Sequence, residues 1–226
     1  MATSCGTFHS AAVSEGGTLW IWGDGAHGRL GLGDRRDRLQ PAHIEAERLG
    51  GSKAVMVACG QSHSAAVNSR GNLYVWGDGY AGALGQGGDE TSLLPLPIAA
   101  KNMGGYCVLM VACGEDYTAA VAENFSLWTW GEGENGRLGH GDVEARFRPC
   151  RIAQERFAGA AVIFVAAGTA HTAAVTSDHN LWTWGAGVQG ALGLNGTRPR
   201  HVPTHVNAKR MLGVGVVQVS CGGYVF

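Results

Sequence analysis

The side chains able to do acid–base, nucleophilic or metal chemistry in this chain are nine His, 18 acidic residues and six Cys. Their placement argues against each of those uses. Cys5, Cys59, Cys113 and Cys221 stand at one repeated place, just before a Gly, and Ala167 fills the remaining copy of that place. A position that takes Cys or Ala reads as small and buried rather than cross-linked. Cys107 and Cys150 have no equivalents, and without any Cys-x-x-Cys the usual zinc spacing is missing. No metal and no cofactor is expected.

His9, His63 and His171 also recur, each heading a His-Ser/Thr-Ala-Ala-Val run, and Tyr117 replaces them in the third copy. A ring repeated once per unit and exchanged for Tyr reads as satisfying backbone groups rather than serving as a general base. Neither Gly-x-Ser-x-Gly nor His-Glu-x-x-His occurs, so the chain is not expected to be a hydrolase, a metalloenzyme or any other enzyme.

The chemistry left is recognition. Arg35, Arg36, Arg38, Arg146, Arg148, Arg198 and Arg200 fall in equivalent loops of three units, where the second unit has Asp89 and Glu90. On one rim they would form a basic strip for an acidic protein surface or a nucleic-acid backbone. The plainer reading is a solvated edge, salt-bridged by Asp34, Asp37, Asp142 and Glu144. The net charge of -1 supplies no global basic field, so nucleic acid is not the expected partner.

The elements that must position these residues are read from a repeat. Leu19-Trp20-Ile21-Trp22-Gly23 returns at residues 73–77, 127–131 and 181–185, an interval of 54 each time. An interval of about 40–55 residues with a Trp-Gly signature and new strands on each pass is that of a propeller or related array. Each unit opens on a period-two apolar run such as Val55-Met56-Val57-Ala58-Cys59-Gly60, a first strand, and residues 217–222 begin it a fifth time. The Ala-Ala-Val run is a second strand whose small side chains let blades approach near the axis. A polar turn leads to the Leu-aromatic-x-Trp-Gly strand, apolar on both faces and so expected to be covered on both.

A Gly-x-x-Gly-x-Leu-Gly cluster follows at 25–31, 79–85, 133–139 and 187–193. It resembles a phosphate loop only superficially, since no Lys occurs in any copy. Pro41, Pro95, Pro149 and Pro203 then mark an outermost strand, where proline is tolerated. Leu49, Met103, Phe157 and Met211 supply one large apolar anchor per connection. The 37 Gly serve the many tight turns this requires. The expected fold is all-β, a propeller of four-stranded antiparallel blades in four 54-residue repeats, forming a single domain over 1–226.

These motifs together resemble the repeat of the regulator of chromosome condensation family, over essentially the whole chain. The resemblance implies a ring that usually closes with about seven blades. With four, either a smaller ring closes or the chain is an arc of the larger type. Residues 217–221 could complete the blade begun by residues 9–44, as strand exchange closes propellers. An open arc exposes apolar flanks, which favours self-association over a closed four-bladed ring.

The resemblance further implies a protein-interaction scaffold binding through its loop faces, with guanine-nucleotide exchange on a Ran-like small GTPase as the alternative. The family's face residues map here onto Thr7-Phe8, Gln61-Ser62, Glu115-Asp116 and Thr169-Ala170. Only Glu115-Asp116 is acidic, and no Trp stands in these loops, which sets the chain apart from ultraviolet-sensing plant relatives. Partners are therefore proteins, of the small-GTPase or ubiquitin and chromatin pathways. With no apolar run of roughly 18–20 residues and no secretory leader at residues 1–4, a cytoplasmic or nuclear address is expected and a membrane is not.

Overall fold

The computed structural model describes residues 2–207 and 213–223. Four antiparallel sheets follow one another, each a four-strand meander in chain order. The first blade comprises β1 (Ala2–Cys5), β2 (His9–Val13), β3 (Leu19–Gly23) and β4 (Arg38–Ile44). β5 (Ala54–Cys59), β6 (His63–Asn68), β7 (Leu73–Gly77) and β8 (Ser92–Pro97) form the second. β9 (Val108–Cys113), β10 (Tyr117–Ala122), β11 (Leu127–Gly131) and β12 (Arg146–Arg151) form the third. β13 (Val162–Ala167), β14 (His171–Thr176), β15 (Leu181–Gly185) and β16 (Arg200–His205) form the fourth.

Register repeats with the sequence: Ala11 faces Ile21, Ala65 faces Val75, and Ala119 faces Thr129 across the central hairpins. The prolines of the outer strands sit where the missing N–H is harmless. Short 3-10 turns, Ala46–Leu49, Ala100–Met103 and Gln154–Phe157, link the blades and bury Leu49, Met103 and Phe157 as anchors. Met211, the anchor expected in the fourth unit, lies outside the described residues, as do Tyr224, Val225 and Phe226.

The core lies between blades rather than within them. One apolar cluster joins Val13, Leu19 and Ile21 of the first blade to Val57, Tyr74 and Trp76 of the second, and two further clusters join the later pairs in the same way. Sheets buried on both faces need apolar residues at successive strand positions, and β7 is buried throughout. In β3 the expected cover is on one face only: Leu19 and Ile21 are buried, but Trp20 is 36% exposed and Trp22 half-buried. Among the described residues no blade packs on its aromatic side.

Two sequence expectations are corrected. Ala2–Cys5 itself completes the first sheet, paired Ala2 to Val13 through Cys5 to Ser10, so residues 217–221 do not complete that blade. Nor are residues 217–222 a strand. The second strand that would ladder with them would belong to a further blade, and they lie instead beside the fourth, where Gly222 accepts a hydrogen bond from the Thr169 N–H at 3.4 Å.

Candidate protein-interaction face

Because strands alternate in direction, the loops joining first to second strands and third to fourth strands emerge on the same side of every blade. That side carries Thr7-Phe8, Gln61-Ser62, Glu115-Asp116 and Thr169-Ala170 together with all four glycine clusters. Proximity confirms the grouping, since the N–H groups of Asp24, Asp78, Glu132 and Ala186 donate to the carbonyls of Phe8, Ser62, Asp116 and Ala170 at 3.0, 2.9, 2.9 and 2.8 Å; within the third-to-fourth loops a Cβ on Gly25 would lie 2.1 Å from the Arg36 carbonyl oxygen and one on Gly79 2.3 Å from that of Glu90. Those contacts fix the glycines to their role as turn formers.

Each junction rests on one carbonyl. The Trp76 indole N–H and the Ser64 hydroxyl both donate to the Arg29 carbonyl, at 2.9 and 2.8 Å. Trp130 and Thr118 do the same to Ala83, at 3.0 and 2.9 Å. Trp184 and Thr172 do so to Arg137, at 2.9 and 2.8 Å. The repeated His stacks onto this motif from the preceding blade: His9 Nε2 lies 2.6 Å from Ser64 Oγ, and His63 Nε2 2.9 Å from Thr118 Oγ1. With its proton committed to the carbonyl, the hydroxyl can only accept, so Nε2–H donates and Nδ1 is bare. The His therefore satisfies a hydroxyl of the next blade, not the backbone group expected from sequence. Tyr117 reaches further, donating to the His171 carbonyl at 2.6 Å.

Around Asp116 the face gathers charge. Burial, then the neighbouring Glu115, raise its carboxyl to about 6, with Arg137 opposing and Asp78 and Glu132 adding to the rise. Arg137 is buried, its Nε donating to the Glu134 carbonyl at 2.9 Å and its guanidinium 3.4 Å from the Glu134 carboxylate. Arg29 occupies the same place in the first unit, buried, 3.4 Å from Asp24 and stacked 5.1 Å over the Phe8 ring. Position by position, Phe8 with Arg29 and Asp116 with Arg137 alternate with Ser62 and Ala83, then Ala170 and Ala191.

Sequence reading missed Arg29 and Arg137, and also Asp24, Asp78 and Glu132, whose carboxylates accept from the N–H groups of Ala26, Tyr80 and Glu134 at 2.7, 3.2 and 2.9 Å. The signal was available. An acid follows Trp-Gly in three units, and Arg alternates with Ala at one repeat position. His27 also reaches across a junction, its Nδ1 2.8 Å from Asp78.

The arginines of the outer loops are divided. Arg38 pairs with Asp34 at 2.9 Å and Arg146 with Asp142 at 2.6 Å, each closing its own loop. The same place in the fourth unit has Arg200 with Gly196 four residues back, so that clamp is lost. Arg148 lies against Gly87 of the second blade's loop. Arg35, Arg36 and Arg198 are exposed. Because the Arg146 pair is close to solvent, Arg146→Ala is expected to cost about 1 kcal/mol or less in urea unfolding; a loss of several would show a buried role.

On the axis, a cavity of about 860 Å³ is lined by Cys5, Cys59, Cys113 and Cys221 beside Gln61, Glu115 and Arg137. The small Cys-or-Ala position thus lines this cavity, buried as expected at Cys59 and Cys113 but half-buried at Ala167 and Cys221 and exposed at Cys5, where fewer blades cover it. All six thiols are free, and burial pushes Cys59 up to about 12 and Cys113 well up, which keeps both protonated and poorly nucleophilic. Among the described residues no cluster of His, Cys, Asp or Glu could hold a metal ion, and no helix is long and apolar enough to cross a membrane.

Four meander blades in arc, locked by Trp-to-carbonyl contacts and carrying variable loops on one side, define a β-propeller repeat protein. The chain belongs to the regulator of chromosome condensation (RCC1) repeat family, whose model matches residues 16–67, 70–121, 126–175 and 178–225. It is 39% identical over 97% of its length to the ultraviolet-B receptor UVR8 of Arabidopsis thaliana, and covers 48% of that protein. It is 36% identical, again over 97%, to human E3 ubiquitin-protein ligase HERC2, of which it spans 4%. Among solved structures it superimposes on human WBSCR16 with a TM-score of 0.87 at 25% identity, covering 98% of this chain and 55% of that one. Yeast Prp20p, studied for its binding to Gsp1p and histones, gives 0.83 at 23% identity, with 98% and 53% covered.

Proposed function

We propose that this chain is a non-enzymatic protein-interaction scaffold that engages its partner through the face bearing Glu115 and Asp116. The observation that carries this reading is the contrast within that face: the junctions beneath repeat nearly atom for atom, while the loop residues above them differ in every unit. A constant frame with variable loops is how repeat scaffolds encode a partner. The half-buried Asp116, held beside Glu115, favours a cationic segment of a protein partner. A cytoplasmic or nuclear setting fits such a role.

Exchange on a Ran-like GTPase is the second reading, favoured by the placement of an acidic pair on the loop face beside Arg137. Binding of a Lys/Arg-rich probe peptide and nucleotide release from a Ran-like GTPase separate the two. Scaffold binding is expected to weaken as pH falls through about 6, when Asp116 takes up a proton, and Asp116→Asn is expected to abolish that step. Acceleration of nucleotide release that disappears in Asp116→Ala would replace the scaffold with the exchange factor.

A further inference from the structure

The first strand of each blade has a neighbour in its sheet on one side only, so its free edge must find partners elsewhere. Adjacent blades supply them. The N–H groups of Thr7 and Gln61 donate to the carbonyls of Gly60 and Gly114, at 3.2 and 3.3 Å. A further N–H on each later first strand donates to a side chain of the blade before it. Cys59 donates to Ser4 Oγ at 2.9 Å, Val111 to Met56 Sδ at 3.3 Å and Val165 to Met110 Sδ at 3.4 Å. The first junction therefore uses a hydroxyl at this place, and the second and third use thioethers.

A thioether is a weak acceptor, and it is oxidised without first losing a proton. Met56 and Met110 are half-buried, each packed against the apolar cluster that joins its blade to the next. Met103, the anchor of the second connection, is 1% exposed. Cys59 and Cys113 stand on the same strands as Met56 and Met110, but burial holds both thiols protonated, so an oxidant finds no thiolate there. The sulfurs that accept from Val111 and Val165 are the oxidisable groups of these two seams.

We propose that Met56 and Met110 form a paired oxidation site at which a hydroperoxide reversibly loosens the second and third blade junctions. Each thioether sulfur gives an electron pair to one peroxide oxygen. A sulfur–oxygen bond forms, the oxygen–oxygen bond breaks, and the proton of the transferred oxygen passes to the leaving one, which departs as water from hydrogen peroxide or as an alcohol from an alkyl hydroperoxide. The sulfoxide is polar and larger than the thioether. Because the sulfur already touches the amide, the added oxygen reaches the N–H only if the sulfur withdraws from its cluster; if the sulfur stays, the oxygen overfills an apolar seam. β5, β9 and β13 run on into the loops of Gln61, Glu115 and Thr169, so loosening at their inner edges reaches the face. The first junction, built on Ser4, keeps its bond.

Treatment of the 226-residue chain with hydrogen peroxide, followed by peptide mass spectrometry, amide hydrogen exchange and urea unfolding, tests this. Met56 and Met110 are expected to gain one oxygen each before Met103 does. The urea midpoint is expected to fall, and exchange at the Val111 and Val165 amides to quicken by about tenfold or more while that at Cys59 is unchanged. Methionine sulfoxide reductases are expected to restore both readings. Met56→Leu with Met110→Leu conserves volume and is expected to keep its midpoint under peroxide. Oxidation of Met103 as fast as the other two overturns the proposal, as does a midpoint that holds once Met56 and Met110 each carry an oxygen. An equal fall in the double variant would place the damage at the thiols and overturn it too. Equal loss of protection at Cys59 does so from the wild type alone, whatever the stability of the variant.

Discussion

Trp130→Ala is expected to destabilise the fold by about 3–5 kcal/mol, measured by urea unfolding followed by circular dichroism. The indole is 0% exposed and packs between the second and third blades, its edge over Gly85 and its N–H on the Ala83 carbonyl. That carbonyl keeps a second donor in the Thr118 hydroxyl, so the loss is chiefly one of packing: a cavity opens at a seam whose backbone is held by strands on both sides and collapses little. Trp22→Ala, at the same repeat position on the open flank, is expected to cost less than half as much in the monomer. If both substitutions cost the same, the indole's work would lie inside its own sheet and not at the junction.

That contrast also shows what the sequence could and could not carry. Period-two alternation, the repeated prolines and the 54-residue interval located fifteen of the sixteen strands of the four sheets, because each pattern was written in successive units and local ambiguity averaged out; Ala2–Cys5 was the exception, its place having been given to residues 217–221. Which strands lie against which neighbour was not local. Trp22 and Trp130 are the same residue in the same motif, and only the presence of a preceding blade makes one buried and the other half-buried. Residues 217–222 carry a strand pattern that goes unrealised for the same reason, since a strand needs a ladder partner. At the face, Glu115 and Asp116 were legible as the acidic pair among four, but their partner Arg137 is far in sequence and came into view only when the third-to-fourth loop folded back over the first.

Acid is expected to unfold this protein with a net uptake of protons between pH 6 and pH 4.5, an uptake that rises by about one in Asp116→Asn. Burial drives His9 down to about 3, with Arg29 and His63 adding to the effect and Asp24 opposing it, and drives His63 down to about 4 against the field of Asp78. Both keep a buried Nδ1 without a partner. In the unfolded chain these rings take up a proton near 6.5, so below that value the unfolded state binds more protons and stability falls as pH falls. At about 1.4 kcal/mol per unit of displacement, the two sites withhold about 5 and about 3 kcal/mol by the time each protonates in the fold. His171, also depressed by burial, acts in the same sense. Asp116 acts in the opposite sense: its folded carboxyl, raised to about 6, takes up a proton while the unfolded one near 3.8 has not, which returns stability as pH falls and cancels about one of the histidine protons. Urea midpoints across this pH range read the slope directly. His63→Tyr, the residue the third blade uses at that place, is expected to flatten it by one proton while leaving the junction hydroxyl occupied. A slope unchanged in His63→Tyr would mean that the seam opens before the ring is charged, and that the histidines follow acid unfolding instead of causing it.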